Sequence, residues 1–400
     1  MSDLLPVDTV LAQVLDAAAT LPDSQRVPLL DALGRVLAQP VVSSIDVPPA
    51  DNSAMDGYAL RAEDASAPLT VSQRIPAGHP ALPLEGATAA RIFTGAMIPP
   101  GADTVVMQED CSELNGKVSF SAAVHRDQNI RLRGQDVRSG ETILQSGRVL
   151  RPQDLGLLAS VGCSDVDVYR PLRVAMLSTG DELVEPGESS LREGAIYNSN
   201  RYTLAGLLRG LNMEPVDYGI IPDSPEATAE ALTASAQNAD CVITTGGVSV
   251  GEEDHVKNQV ERLGRLDLWK LAIKPGKPLA FGRIADTPFI GLPGNPSSVF
   301  VTFCLIARPF LMKRQGVDEP AVPSLQARAS FTVSKAGRRQ EYLRVTVEAT
   351  SDGLRAMRYA NQSSGVLRSV SASNALAIIP AGRTVAEGEL VDVLLLDLLV

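Results

Sequence analysis

Histidine is almost missing from this chain: His79, His125 and His255 are the only three in 400 residues. That excludes a histidine-rich metal centre and gives a histidine-dependent triad poor support. Cysteine is nearly as sparse. Cys111, Cys163, Cys241 and Cys304 form no CxxC pair, and Cys241 and Cys304 sit inside apolar runs, so reduced core residues are expected instead of a disulfide framework. Positive charge is also short: 36 Lys plus Arg against 47 Asp plus Glu leave a net charge of −11, a field that disfavours a nucleic acid partner. An anionic ligand must then be held by local positive charge. No apolar run approaches the roughly 18 residues that span a bilayer. Asp3 and Asp8 stand where a secretion signal carries positive charge, so the expected location is cytoplasmic, with no membrane partner. Carboxylates and lysines are left to carry the chemistry.

A content of 44% hydrophobic and 21% charged residues suits a globular protein of two to four domains at this length. Apolar residues at helical spacing predict an amphipathic helix from Val7 to Leu21, with Asp8 as its cap, and a second short helix from Ser24 to Leu37. Pro48, Pro49 and Asn52 then stop regular structure in a loop that holds Asp51, Ser53 and Asp56 within six positions. Such clusters more often simply form turns than hold a ligand. From Thr70 to Ile143 short alternating runs between Gly and Pro predict a small, mostly β domain, with Thr94 and Gly95 at one strand end and Arg131, Arg133 and Asp136 at a turn. GRVLRPQDLGLLASVG reads as a strand and a helix returning to the N-terminal segment.

From Pro171 strands alternate with helices, which predicts βα units and a doubly wound parallel sheet. Its strands are LRVAMLS, VDYGIIPD, CVITT, PLAFGRI and PFIGLPG; its helices begin near Asn198, Pro225, Asp254 and Asn295. Beyond Val322 five more β runs predict a small barrel or sandwich. The expected architecture is multidomain α/β plus β: residues 1–48 with 141–170 as a helical linker unit, 49–140 as the β domain, 171–322 as the doubly wound domain, and 323–400 as the terminal β domain.

Four strand-end turns in the doubly wound domain concentrate the chemistry: TGDE, TGGVS, KPGKP and LPGNP. Strand ends of open α/β sheets are where ligands bind. Gly246 and Gly247 let backbone N–H groups face an anion, with Thr244, Thr245 and Ser249 as hydroxyl donors. Glu252 to Asp254 would repel a bare anion at the following helix start. Either they cap the helix or a divalent cation bridges them to phosphate, and oxygen-only donors point to Mg²⁺. Lys270, Lys274 and Lys277 surround the Pro-Gly turn. Together these turns predict a nucleotide-like ligand and hydrolysis or group transfer at phosphate.

DNSAMDGYA, FTGAMIPPGADTVVMQE, RGQDV, STGDEL, TTGGVSVGEEDHVK, AIKPGKP and GLPGNP, in this order over essentially the whole chain, resemble the molybdopterin molybdenumtransferases of the bacterial MoeA type, whose animal relative is the E domain of gephyrin. The resemblance implies a doubly wound domain similar to the molybdopterin adenylyltransferases. The implied reaction is Mg²⁺-dependent insertion of molybdate into adenylylated molybdopterin with release of AMP, in a homodimer that works with a molybdopterin adenylyltransferase and molybdoenzyme acceptors. By residue, it implies Glu182, Asp223 and Asp254 as acids at the metal and phosphate, Lys270 and Lys274 as the neutralising cations, and Thr179, Gly180, Gly246, Gly247 and Ser249 as ligand-binding turn residues. Pro293 and Pro296 shape the floor; Arg344 and Ser363 are the matches in the terminal domain; Asp56, Thr94 and Asp136 come from the β domain of the other subunit. Asp56 and Asp254 are both candidates for the acid that takes up the departing oxygen. Two other readings accompany this one, a molybdopterin adenylyltransferase and a non-catalytic scaffold.

Overall fold

The structure, a computed structural model, describes residues 4–21, 23–187, 191–247 and 255–399. Ser249 and Asp254 therefore lie outside the described residues.

The first helix, Val7–Asp16, buries Val7, Val10 and Val14 against Phe303, Ile306 and Phe310. It ends at Asp16, short of the expected Leu21, and its cap is Pro6; Asp8 sits in the first turn, where it complements the helix dipole. The expected second helix is not formed. Ser24–Pro28 is a strand paired antiparallel with Asp165–Tyr169, followed by one 3₁₀ turn at Leu29–Asp31. Pro28 has no N–H to continue a helix, and the strand from the returning segment supplies the partner. Helix Pro152–Ser160 closes this unit over Ala32, Leu37, Leu150, Leu158 and Val168.

The β domain is a six-stranded sheet in the order Thr104–Met107, Gly57–Leu60, Thr88–Ile92, Leu69–Ile75, Lys117–Phe120, Cys111–Leu114. Strand alternation divides its apolar residues between two faces, Ala59, Ala90 and Val105 on one and Tyr58, Ala89 and Val106 on the other.

The third unit orders its strands Glu214–Ile221, Arg173–Thr179, Cys241–Thr245, Thr287–Leu292, Pro278–Ile284, Gly264–Lys270. The first four are parallel; Pro278–Ile284 runs antiparallel to both its neighbours, Thr287–Leu292 and Gly264–Lys270, so the sheet is mixed. The reason is the tight hairpin at Ala285 and Asp286, with Ala285 at φ 50°, which can join only antiparallel strands. Both faces are covered: Met176, Ile243 and Ile290 pack under helix Ser199–Gly210 and the helical run 296–314, while Ala175, Val242 and Phe289 pack under Pro225–Asn238 and His255–Leu263. Asn198 caps Ser199–Gly210 through Arg201 N–H, as its sequence position predicts.

The terminal unit is a closed five-stranded barrel and not a sandwich. Gln340–Thr350 pairs with Gly353–Arg358, then Leu325–Ala329, Leu390–Leu395 and Ala375–Ile379, which returns to Gln340–Thr350. The short strand Ile273–Lys274 pairs in parallel with Gln340 and Glu341, fastening the barrel to the KPGKP turn.

Candidate active site

The chain passes from strand Arg173–Thr179 outward to Glu214–Ile221 and then back across to Cys241–Thr245. That reversal is a topological switch point, where the loops at the carboxyl ends of two neighbouring strands diverge and leave a crevice. A cleft of about 940 Å³ opens there, lined by Thr179, Gly180, Thr245, Gly246 and Gly247 on the strand ends. Glu182, Asp223, Lys274, Pro293 and Pro296 also line it, as does Ser363 from the loop after the second barrel strand.

Backbone geometry explains the glycines. Gly246 and Gly247 have φ of 91° and 63°. A Cβ on Gly247 would lie 2.6 Å from Val256 Cγ2 and 2.8 Å from Thr179 Oγ1, so no other residue fits without displacing the cleft wall. Around this turn the hydroxyls of Thr179 and Thr245 are buried with no hydrogen-bond partner among the described residues, as is Asn200 Oδ1, whose amide nitrogen donates to Gly294 O at 2.7 Å. Buried polar atoms are normally satisfied, so three orphans on one cleft are groups to which a polar ligand or ordered water would bond.

Both signs of charge line the cleft. Glu182 and Asp223 follow the strands Arg173–Thr179 and Glu214–Ile221, the Glu182 carboxylate folding so close to Gly180 that a Cβ there would sit 2.5 Å from Oε2. His255 Nε2 stands 3.9 Å from Asp223 Oδ1. The KPGKP turn and the start of a barrel strand supply Lys274, Lys277 and Arg339, with Lys274 Nζ paired to Glu341 Oε1 at 3.2 Å.

Other sequence candidates lie elsewhere. Lys270 ends its strand off the cleft lining. Arg344 is 1% exposed, and its guanidinium donates to Ser369 Oγ, Tyr342 O and Ser363 O at 3.1–3.3 Å, so it supports the Ser363 loop from behind. Asp56 and Thr94 are joined in the β domain: Thr94 N and Oγ1 donate to Asp56 Oδ1 at 2.7 and 2.8 Å, and these bonds hold the Asp56 carboxyl below the usual carboxylate range. Asp136 is exposed, its N–H bonded to Val47 O. None of these three lines the cleft. Asn200, His255, Gln362 and Arg339 do line it and were missed. His255 stands within a few residues of the TGGVS turn and Asn200 in the first turn of the helix that Asn198 caps, both usable signals; nothing local marks Arg339.

Among the described residues no three His, Cys, Asp or Glu side chains group closely enough to hold a metal by themselves. The cleft instead offers two oxygen donors, Glu182 and Asp223, beside hydroxyls.

These features define a multidomain α/β protein with a polar cleft at its switch point that carries both carboxylates and cations. The comparisons carry this to a family. Residues 5–162 match the MoeA N-terminal region (domain I and II), 175–313 the domain described as "Probable molybdopterin binding domain", and 326–396 the MoeA C-terminal region (domain IV). The chain is 42% identical over 346 residues to the molybdopterin molybdenumtransferase of Haemophilus influenzae, covering 85% of each chain. It is 39% identical over 392 residues to that of a Nostoc species, covering 94% of this chain and 89% of the relative. The crystal structure of the molybdopterin biosynthesis moeA protein from Pyrococcus horikoshii superposes with a TM-score of 0.86 at 32% identity, covering 98% of this chain and all of the other. The chain belongs to the MoeA family.

Proposed function

We propose that this chain inserts molybdate into adenylylated molybdopterin in molybdenum cofactor biosynthesis, releasing AMP, as a cytoplasmic Mg²⁺-dependent transferase. Its relatives' names support the reaction. The observation that carries it to this chain is the switch-point cleft, lined by carboxylates, cations and orphaned hydroxyls together.

Mg²⁺ fits the donor set. It takes one or two carboxylates and keeps its remaining positions for water and substrate phosphate, and Glu182 and Asp223 supply two carboxylates among the described residues. Glu182 and Asp223 would hold it, with Asp254 as a third candidate outside the described residues. When bound, the ion offsets phosphate charge and polarises the phosphoanhydride. The remaining work belongs to the chain. Gly246 and Gly247 let the backbone approach the ligand, Thr179 and Thr245 donate hydroxyl hydrogen bonds, and Lys274 offsets charge from the KPGKP turn. Pro293 and Pro296 rigidify the loop beneath.

Four units, bounded at 1–48 with 141–170, 49–140, 171–322 and 323–400, are part of the same proposal, supported by the separate apolar clusters of the linker unit, β domain and barrel. So is a homodimer, in which Asp56, Thr94 and Asp136 of one subunit complete the cleft of its partner. A molybdopterin adenylyltransferase would supply its substrate and molybdoenzymes would take the product.

Purified chain supplied with adenylylated molybdopterin, molybdate and Mg²⁺ is expected to yield AMP and active cofactor. Glu182→Gln and Asp223→Asn are each expected to lower turnover by roughly a hundredfold or more, the scale of losing one electrostatic contact to the reacting centre. Absence of product with the unaltered chain, or unchanged turnover in both variants, would sink the proposal.

A further inference from the structure

Three cationic side chains from lysine or arginine line the cleft, and they are not equivalent. Lys274 is held by Glu341 at 3.2 Å. Lys277 and Arg339 form no ion pair among the described residues. The terminal barrel contributes Arg339 immediately before the strand Gln340–Thr350, and that strand is bonded to the KPGKP turn: Ile273 pairs with Gln340, Lys274 with Glu341, and Gln340 N–H donates to Ala272 O at 2.8 Å. Arg339 Nη1 donates to Ile273 O at 3.1 Å, which fixes one edge of the guanidinium and leaves its other N–H groups without a described partner. The turn itself cannot retreat. Gly276 is buried at φ 97°, where a Cβ would lie 2.4 Å from Thr302 Oγ1.

We propose, on the reading that this cleft takes a phosphate-bearing substrate, that Arg339 and Lys277 together bind its phosphate oxygens, so the anion is gripped across the junction between the doubly wound domain and the barrel. An arginine tethered at one nitrogen presents a planar fork whose orientation is already set, so little further entropy is lost when it takes up two oxygens. Lys277 adds a point charge from the same turn. Lys274 shares its charge with Glu341 and stands at the strand junction that positions both. Arg344 does not share the task, because it is 1% exposed, tied to Ser369, Tyr342 and Ser363, and absent from the cleft lining.

Inorganic pyrophosphate is the probe, titrated calorimetrically into the full chain with Mg²⁺ present. Arg339→Gln and Lys277→Gln are each expected to weaken binding by roughly tenfold to a hundredfold, the worth of a charge-assisted hydrogen bond. Arg339→Lys should recover part of the loss, because it restores charge without the fork. Thermal midpoints establish that each variant is folded; should Arg339→Gln fail to fold, Arg339→Lys and Lys277→Gln carry the test. Pyrophosphate affinity unchanged in the folded variants, or no binding by the unaltered chain, would overturn the inference. Arginine-dependent pyrophosphate binding in a chain that does not turn over molybdate would remove the reaction proposed above and leave this contact standing.

Discussion

At Gly247 a single hydrogen atom in place of a methyl group decides whether the cleft exists. The position combines φ 63° with Val256 and Thr179 both within 3 Å of where a Cβ would be. Gly247→Ala is therefore expected to cost roughly 1–3 kcal/mol of stability. It should also abolish pyrophosphate binding, read by chemical denaturation and calorimetry on one preparation. Arg344 shows the opposite case, a charged side chain with a structural task. Burial pushes its guanidinium down to about 10, against the pull of Glu341, and three acceptors depend on it. Arg344→Met would leave those acceptors unpaired, so a loss of about 2–4 kcal/mol is expected in urea denaturation. Binding should weaken as well, because Ser363 loses its support.

Among the elements, helix Pro152–Ser160 illustrates how a buried acid ties a local segment together. Asp154 is 3% exposed; burial works to raise its carboxyl, but bonds from Arg148, from the Arg151 side chain and from Arg151 N–H outweigh it and hold the carboxyl below 3.8. A carboxyl lowered by folding stabilises the fold above its unfolded value, and that stability is lost as pH falls through the lower folded value. Asp154→Asn should therefore reduce the thermal midpoint at neutral pH, and the gap from the unaltered protein should narrow below about pH 4. A gap that stays constant through the acid range would contradict this account. The strand Ser24–Pro28 teaches a related lesson. Five residues with one proline favour neither helix nor strand strongly, and the returning segment Asp165–Tyr169 settled the matter by offering backbone partners.

For the whole molecule, the separation of candidate residues is the instructive feature. Glu182 and Asp223 line the cleft, whereas Asp56 and Thr94 lie in the β domain and do not. A shared site in a homodimer makes a specific prediction: Asp56→Asn and Glu182→Gln, each inactive alone, should regain activity when mixed and reassociated. Random pairing would put one intact site in half of the dimers, restoring roughly a quarter of normal turnover. No recovery, with heterodimers demonstrated by differential tagging, would place both residues in one subunit's site or remove Asp56 from it.

Much of this protein was determined by local sequence. The scarcity of histidine and cysteine confined its chemistry to carboxylates, hydroxyls and cations, and alternation of strands with helices marked the doubly wound unit. TGDE, TGGVS, KPGKP and LPGNP, each of which contributes residues to the cleft lining, were legible as turns because glycine and proline constrain the backbone wherever they stand, independent of what packs against them. Tertiary structure alone decided the rest. Lys270, Lys274, Arg339 and Arg344 are all cations in sequence, yet Lys270 lies off the cleft, Arg344 is buried, Lys274 is paired, and Arg339 lines the cleft. Which cation meets a ligand depends on the pairing of Ile273–Lys274 with a barrel strand that begins 66 residues later in the chain. No local propensity encodes a contact of that range; it exists only once the barrel has closed.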